Sequence, residues 1–272
     1  MEQRCHGREK MPVPISARVA AVPVDIETRE SVAVVRVRGG RANAMSAALL
    51  KDLEAAFADV GARKDVRAVV VTGDGNAFSA GLALPDLISL DRPAMRDFIA
   101  SFERAMQRVL THPRAVVACI NGHAIAGGCV LALMCDVRIA ALGTARLGLN
   151  EVQLGIGLPS LVIEPLRQRL PASSLLPVAY EGRLFGVEEA KQLGLVDAVV
   201  PAAELEAVCL ARAQQLGRAP VAYGQIKQGL LRPVLEAITR NAVNEREAWL
   251  DSWFSPDARV LLEATVERLQ KK

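Results

Sequence analysis

Hydrophobic and polar positions follow two kinds of spacing in the first half of the chain, one typical of strands and one typical of helices. Residues 31–37 alternate and are rich in β-branched side chains, which predicts a strand. Apolar positions at helical spacing predict helices over 47–60, with Ser46 as N-cap, and over 93–111. Consecutive valines make 67–72 a second strand, and we expect it to be buried on both faces.

The second half of the chain changes from mixed strands and helices to helices alone near residue 200. Apolar runs predict strands at 115–120, 137–140 and 196–200. Helical spacing fills the segments 159–169, 172–181, 187–194, 202–217, 220–230, 234–255 and 256–270. The early β-turn-helix units recur in kind without an exact sequence repeat. We therefore predict an α/β fold of stacked ββα layers, rather than a dinucleotide-binding sheet, followed by a helical region.

This division predicts three parts of the chain. Residues 1–22 are polar and then proline-rich, and we expect a poorly ordered N-terminal extension there. Residues 23–200 should form the layered core, and 201–272 the C-terminal helical region. The chain has 272 residues, of which 51% are hydrophobic, and this is enough for a sizeable core.

Composition and charge argue against several classes of function. The net charge of +3 is small and no long basic run is present, which argues against nucleic acid as a partner. No apolar run approaches the roughly 20 residues of a membrane span, so we expect no membrane partner. Five cysteines without a C-x-x-C pair indicate free thiols in a reducing compartment, and we expect the cytoplasm. With three histidines and no H-E-x-x-H motif, we expect no metal site.

The segment 121–136 combines glycines with a change from strand to helix. It follows the apolar strand, passes through Gly122, Gly127 and Gly128, and then becomes apolar at helical spacing. A helix that begins near Gly128 presents free backbone N–H groups, and glycine lets a ligand approach that backbone. Such a turn can bind an anion, or an oxygen that becomes anionic during a reaction. A tight turn without chemistry is an equally good interpretation of this segment alone.

Two other segments could complete a reactive site. Ala80-Gly81-Leu82 follows a buried strand and could leave further amides free. Glu151 lies among apolar residues at 147, 149, 152 and 154, which would raise its pKa toward the range useful to a general base. Two N–H donors and one such base suffice to remove a proton next to a carbonyl group. The alternatives are a surface cap or salt bridge for Glu151, and a plain turn for Gly81.

Three further polar residues are interpreted as structural. Cys129 lacks a base partner and is assigned to the core rather than to nucleophilic catalysis. His123 is interpreted as a loop histidine. Asp136 is expected to bind backbone or an arginine rather than a substrate.

Five short segments stand in an order and spacing that are found together in one known family. They are 42–44 (Ala-Asn-Ala), 69–73 (Val-Val-Val-Thr-Gly), 78–81 (Phe-Ser-Ala-Gly), 120–129 (Ile-Asn-Gly through Ala-Gly-Gly-Cys) and 135–136 (Cys-Asp). With these segments the chain resembles the crotonase family, also called the enoyl-CoA hydratase/isomerase superfamily, over roughly residues 25–270. The resemblance implies a spiral of ββα units whose C-terminal helical region packs trimers or pairs of trimers.

The resemblance also implies a substrate and a set of site residues. The substrate would be an acyl-CoA thioester, so coenzyme A enters as part of the substrate and no separate cofactor is expected. Its carbonyl oxygen would lie between two backbone amides, which fall on Leu82 and Gly127 in this sequence, with Glu151 as the base. The other residues implied to bind substrate are Ala42, Ala80, Gly81, Leu84, Gly128 and Asn150.

The acidic residues decide the implied subtype. Family hydratases look as if they need two glutamates to activate water, and here one position is Glu151 while the other is Val130. A single base can still move a proton from C2 to C4, and segments 78–82 and 148–156 look most like the delta-3, delta-2-enoyl-CoA isomerases. We therefore predict isomerisation of 3-enoyl-CoA to trans-2-enoyl-CoA, with Glu151 as proton shuttle. The alternatives are a hydratase-like enzyme, a dienoyl-CoA isomerase, a hydrolase, and a weakly active acyl-CoA-binding scaffold.

Two positions outside this set also bear on the substrate. The aspartate that the family commonly has two residues after the glycine of Ser-Ala-Gly is Ala83 here. Lys227, on a predicted C-terminal helix, could meet a phosphate of coenzyme A, and the alternative is a solvated lysine.

Overall fold

Two sheets form the β-structure in this computed structural model, which describes residues 23–271. The strands are β1 (Val24–Arg29), β2 (Val32–Val37), β3 (Ala68–Gly73), β4 (Ala77–Ser79), β5 (Ala115–Ile120), β6 (His123–Ile125), β7 (Val137–Ala141), β8 (Leu147–Gly148) and β9 (Ala198–Val200). The large sheet has the order β1-β2-β3-β5-β7-β9 and is parallel except for the β1–β2 pair. The small sheet is parallel, with the order β4-β6-β8. The prediction for residues 1–22 lies outside the described range.

Helices connect and cover these strands. They are α1 (Ala47–Ala62), α2 (Leu84–Leu87), α3 (Arg92–Leu110), α4 (Gly127–Met134), α5 (Ser160–Arg169), α6 (Ala172–Leu175), α7 (Val187–Gln192), α8 (Leu205–Leu216), α9 (Pro220–Trp253) and α10 (Pro256–Gln270). The pairs β3–β4, β5–β6 and β7–β8 each give one strand to the large sheet and the next to the small sheet before a helix follows. The predicted α/β fold of ββα layers with a helical C-terminal region is confirmed. In the described range, no helix combines the length and the apolar character needed to cross a membrane.

Side-chain caps fix where several helices begin. The Ser46 hydroxyl accepts a hydrogen bond from the Leu49 amide at 3.3 Å, and α1 starts at the next residue, as predicted. Asp91 caps α3 in the same way, through the Ala94 amide at 2.9 Å, and proline stands in the first turn. These acceptors satisfy first-turn N–H groups that have no partner within the helix.

The valine-rich strand β3 is buried on both faces. Val69 and Val71 belong to the main core, which α1, α3 and α4 cover, whereas Val70 belongs to a smaller cluster on the opposite face. Helix α8 closes that second cluster with residues such as Cys209 and Ala213. The predicted two-sided burial of the strand is therefore confirmed.

Helix α9 corrects the prediction of two separate helices over 220–230 and 234–255. It runs through Pro233 without a break, as one helix of 34 residues. An internal proline removes one helical hydrogen bond and costs about 3 kcal/mol. Leu231, Val234 and Ile238 are all buried on one face around this position, and this burial offsets the cost. Short-range breaking signals were outweighed here by tertiary packing.

Lys227 on α9 corrects both interpretations of this residue as a phosphate contact or a solvated side chain. Its side chain is 7% exposed, and its Nζ donates to Asp136 Oδ2 at 2.9 Å. Asp136 also accepts from the Val116 amide at 2.9 Å, so it binds backbone as predicted, and its cation is a lysine rather than an arginine. The pair ties α9 to the C-terminal end of α4.

Candidate active site

The turn between β6 and α4 exposes a backbone amide. Helix α4 begins at Gly127, one residue before the predicted start. Ala126 has φ +50° and ψ −123°, a strained conformation for a residue other than glycine, and its own amide donates to Gly148 O at 2.9 Å. The strained residue directs the following amide, that of Gly127, out of the chain at the N-terminus of the helix. A first-turn N–H has no acceptor within its own helix.

A second free amide comes from the segment after β4. The Ser79 hydroxyl accepts from the Gly81 amide at 3.2 Å, while Gly81 O accepts from the Met45 amide at 2.7 Å. The Ala83 amide in turn donates to Met45 O at 3.1 Å. These bonds use the amides on either side and leave that of Leu82. Among residues 23–271, neither the Leu82 nor the Gly127 amide has a hydrogen-bond acceptor.

Close backbone packing brings the two segments together. A methyl group on Gly127 would lie 3.4 Å from Gly81 Cα and 3.4 Å from Leu82 Cδ2. A methyl group on Gly128 would collide with Ser79 O. Glycine is needed at position 128 because β4 passes directly against the first turn of α4, whereas a methyl group on Gly127 would only reach van der Waals contact with the loop after β4. The two free amides therefore lie side by side.

Asn43 holds the third segment of the site in place. Its side-chain amide donates to Ala77 O at 2.8 Å and to Asp74 O at 2.9 Å, and its backbone carbonyl accepts from the Ser79 hydroxyl at 2.8 Å. The residue has φ +56°, in the left-handed region that asparagine tolerates better than most residues. This buried side chain links the loop before α1 to the loop around β4.

Glu151 supplies a buried carboxyl group. It follows β8 and begins a 3-10 turn, Glu151–Leu154, and its side chain is 8% exposed. Its Oε2 is buried and has no hydrogen-bond partner within the described residues. Burial disfavours the charged form and raises the pKa of the Glu151 carboxyl to about 7. Of its predicted apolar neighbours, Leu147, Leu149 and Leu154 are buried, whereas Val152 points to the surface.

A single cavity joins these groups. Its volume is about 540 Å³ when the space open to solvent is included, and Leu82, Gly127 and Glu151 all line it. Leu84, predicted to bind substrate, and Val130 also line it, and the remaining wall is apolar. Glu151 is the one titratable lining side chain among the residues that the structure describes.

The other predicted binding residues lie beside this cavity rather than in its wall. Ala42 and Ala80 are exposed neighbours, and the Ala80 amide donates to Ala42 O at 2.9 Å. Gly81 and Gly128 are buried and act through their backbone shape. Asn150 is half-buried, and its buried Oδ1 has no partner in the described range.

Sequence reasoning missed part of the cavity wall. Ile99 and Phe102 come from α3, and Trp249 comes from the end of α9, about 100 residues after Glu151. Phe102 is one of the apolar positions of the helix predicted over 93–111, but nothing in the local sequence places it at a cavity. Trp249 stacks on Trp253 with ring centroids 5.3 Å apart. No local signal marks Trp249, because only the packing of α9 onto the core brings it here.

The structure confirms the interpretation of Cys129 as a core residue and corrects that of His123 as a loop residue. Cys129 is buried in α4, and burial raises the pKa of its thiol to about 12, which suits a core residue. His123 is exposed on β6 rather than in a loop, and its Nδ1 accepts from the Arg146 amide at 3.0 Å.

Known proteins resemble this chain along nearly its whole length. A family profile described as enoyl-CoA hydratase/isomerase matches residues 27–270. Human mitochondrial enoyl-CoA delta isomerase 1 is 29% identical over 257 residues, which are 92% of this chain and 84% of that protein. The short-chain-enoyl-CoA hydratase of Clostridium acetobutylicum is 28% identical over 248 residues, 90% of this chain and 95% of that protein. The crystal structure of human mitochondrial delta3-delta2-enoyl-CoA isomerase matches with a TM-score of 0.87 and 27% identity, covering 92% of this chain and 98% of that one.

Proposed function

Because the chain belongs to the enoyl-CoA hydratase/isomerase family, also called the crotonase family, we propose that it converts 3-enoyl-CoA to trans-2-enoyl-CoA. Enzymes of this family bind acyl-CoA thioesters, and the relatives above include both isomerases and hydratases. One observation carries the choice between the two reactions: a cavity with two free amides has Glu151 as its one titratable wall residue in the described range.

The first step is removal of a proton from C2. The Glu151 carboxylate takes this proton, and the electron pair of the C–H bond moves through the C1–C2 bond onto the thioester oxygen. A dienolate forms, because the C3–C4 double bond is conjugated with the new one. The amides of Leu82 and Gly127 donate to the oxygen that becomes negative, which lowers the energy of the transition state.

The second step returns the proton to C4. The protonated Glu151 gives its proton to C4, the double bonds shift, and the product is trans-2-enoyl-CoA with the carboxylate restored. Atoms and electrons balance without a cofactor, in keeping with our proposal that coenzyme A enters only as part of the substrate. A pKa near 7 suits a group that must first accept and then donate the same proton near neutral pH.

Val130 is the observation against hydration. It is 1% exposed, lines the cavity, and occupies the position where the resemblance implies the second glutamate of the hydratases. An isopropyl group cannot hold or deprotonate a water molecule. We therefore propose that double-bond migration occurs without appreciable hydration.

A direct assay separates the candidate reactions. Purified protein is given 3-hexenoyl-CoA and, separately, 2-hexenoyl-CoA, and double-bond migration and water addition are measured independently. Migration without hydration is the expected result. Rapid hydration of 2-hexenoyl-CoA would assign the chain to the hydratases, whereas retained acyl-CoA binding without turnover would favour a scaffold.

We also propose that the chain self-associates as a homotrimer or a pair of trimers. Large apolar side chains are exposed along α9, among them Val221, Ile226, Leu230 and Val243. This number of exposed apolar side chains on one helix supports contact with another copy. Sedimentation velocity tests this, and a monomer at micromolar concentration would contradict it.

The free, buried thiols of Cys119, Cys129, Cys135 and Cys209 suit a reducing compartment, and we propose the cytoplasm.

A further inference from the structure

A second cavity adjoins the first at the side chain of Glu151. Its volume is about 820 Å³ when the space open to solvent is included, and it shares four wall residues with the first cavity. The shared residues are Glu151, Ile156, Gly157 and Leu158. The carboxyl group therefore borders two spaces rather than one.

The wall of the second cavity is largely apolar. Ile163 and Leu166 of α5, Leu175 of α6 and Ala179 of the following turn line it. Arg167 is the charged group there apart from Glu151, among residues 23–271. Such a surface favours hydrocarbon over water, and each methylene group buried on it is worth about fourfold in affinity.

The proposed reaction fixes where an acyl tail must begin. C2 and C4 must both reach the Glu151 carboxyl, so the carbons beyond C4 start next to that side chain. Ile99, Phe102 and Trp249 are part of the wall of the first cavity. The thioester and the carbons up to C4 already occupy the first cavity in the proposed reaction. The second cavity is larger, and Glu151 is part of its wall as well.

We propose that the acyl tail beyond C4 passes Glu151 into the second cavity, so that the substrates of this chain are medium- to long-chain acyl-CoA thioesters. The proposal rests on the proposed function, because that function places the reacting carbons at Glu151. Ala179 is then a specificity-determining residue. Its small side chain leaves the cavity open where a larger one would fill it.

A competing occupant of this space is a second copy of the chain. Tyr180 in the wall of the second cavity is 74% exposed, Leu176 of the same turn is 59% exposed, and an interface could cover both. The shared wall at Glu151 favours the acyl tail, because the carbons beyond C4 start at this side chain, whereas a second copy would only need to cover the exposed residues. The two occupants predict different effects of the same substitution.

The test fills the cavity and varies the chain length. Saturated hexanoyl-CoA and dodecanoyl-CoA do not react, and isothermal titration calorimetry gives their dissociation constants. We expect wild-type protein to bind dodecanoyl-CoA at least about tenfold more tightly. Ala179→Phe should abolish this preference and change hexanoyl-CoA affinity less than about twofold, since the added ring lies only in the tail's path. Ala172→Phe, at an exposed position of α6, is the matched control and should keep the preference.

Several outcomes would overturn the inference. An unchanged chain-length preference in Ala179→Phe, or an equal loss for both ligands, would exclude the second cavity as the tail site. A change of sedimentation coefficient with the preference intact would assign the cavity to a second copy. If Ala179→Phe does not fold, Leu175→Ala enlarges the same wall, and an unaltered affinity for tetradecanoyl-CoA relative to dodecanoyl-CoA would likewise contradict the proposal. Because the ligands are unreactive, these results stand even if isomerase activity is absent.

Discussion

The Gly127 nitrogen lies 3.1 Å from the point that a methyl group on Gly81 would occupy. The same methyl group would lie 2.8 Å from Ile125 O, and Gly81 has φ +88°, which side chains other than hydrogen disfavour. The distance between the two free amides therefore depends on a hydrogen atom at position 81. Gly81, for which the sequence also allows a plain turn, therefore controls the geometry of the proposed oxyanion site.

Gly81→Ala should lower kcat for 3-hexenoyl-CoA by about 100-fold, because the methyl group forces the Leu82 and Gly127 amides apart. Gly75→Ala is the matched control, since Gly75 also has positive φ but faces open space. The control should lose about 1 kcal/mol of stability and keep its activity. Steady-state kinetics on folded protein check this, and equal activities of the two variants would contradict the assignment.

Glu151→Gln should reduce kcat by about 100- to 10,000-fold, because the amide cannot carry the proton from C2 to C4. Its shape is nearly that of the acid, so the dissociation constant for hexanoyl-CoA should change little. Glu164→Gln, a carboxylate of α5 outside the cavity wall, is the control and should be fully active. A Glu151→Gln variant with normal turnover would remove this residue from the mechanism.

The rate should depend on pH through the same group. Only the carboxylate form can accept the C2 proton, and burial raises the pKa of Glu151 to about 7. We therefore expect kcat/KM to rise with a midpoint near pH 7 and to fall about tenfold for each pH unit below it. A pH profile of initial rates measures this. A midpoint near 4.5, the ordinary value for glutamate, would mean that the carboxyl group is solvated in the free enzyme.

The free energy of unfolding should fall as the pH rises, whereas the rate rises. The folded chain holds the Glu151 proton up to a pH of about 7, whereas the unfolded chain releases it near 4.5. The folded state thus binds more protons in this window, so its free energy of unfolding falls as the pH rises, by about 3 kcal/mol. Glu151→Gln removes the dependence, and urea unfolding at pH 5 and pH 8 should show the variant gaining stability over wild type only at the higher pH.

Val130→Glu should give the protein hydratase activity toward 2-hexenoyl-CoA. The new carboxylate would stand at the cavity wall where the second catalytic acid of the hydratases is expected. Val130→Gln introduces a similar volume without a base, and it should remain inactive in hydration. Both variants bury a polar group at a position that is 1% exposed, so each should be less stable than wild type. Equal hydration by the two variants would count against a base at this position.

Lys227→Met should destabilise the fold by about 3–5 kcal/mol, because it leaves the Asp136 carboxylate buried without its cation. Lys191→Met changes an exposed lysine of α7 and should alter the free energy of unfolding by less than about 0.5 kcal/mol. Chemical denaturation compares the two. Similar small effects would mean that water reaches Asp136.

The elements that the sequence predicted well are those with local signals. Helix α1 starts after the cap at Ser46 because that hydroxyl satisfies its own first turn, and the central strand β5 occupies the predicted residues. The glycine-flanked amides and the buried acid could also be found, since glycine and a carboxylate among apolar residues are visible in the sequence itself. Such features need only a few neighbouring residues.

The elements that were missed depend on distant partners. Strand β6 has three residues and exists because β4 and β8 flank it in the small sheet. Lys227 looks like any surface lysine until α9 packs it against Asp136, 91 residues earlier. Trp249 also reaches the cavity wall through the packing of α9, and short-range sequence patterns do not predict that packing.

The stacked pair Trp249–Trp253 gives the molecule a built-in optical sensor. The chain contains two tryptophans, and both indole rings are buried at the end of α9, one of them in the wall of the first cavity. Nearly all ultraviolet emission excited in indole must therefore originate beside the place where an acyl-CoA would be held. Occupancy can be followed in real time by intrinsic fluorescence, without a label and before any bond is changed.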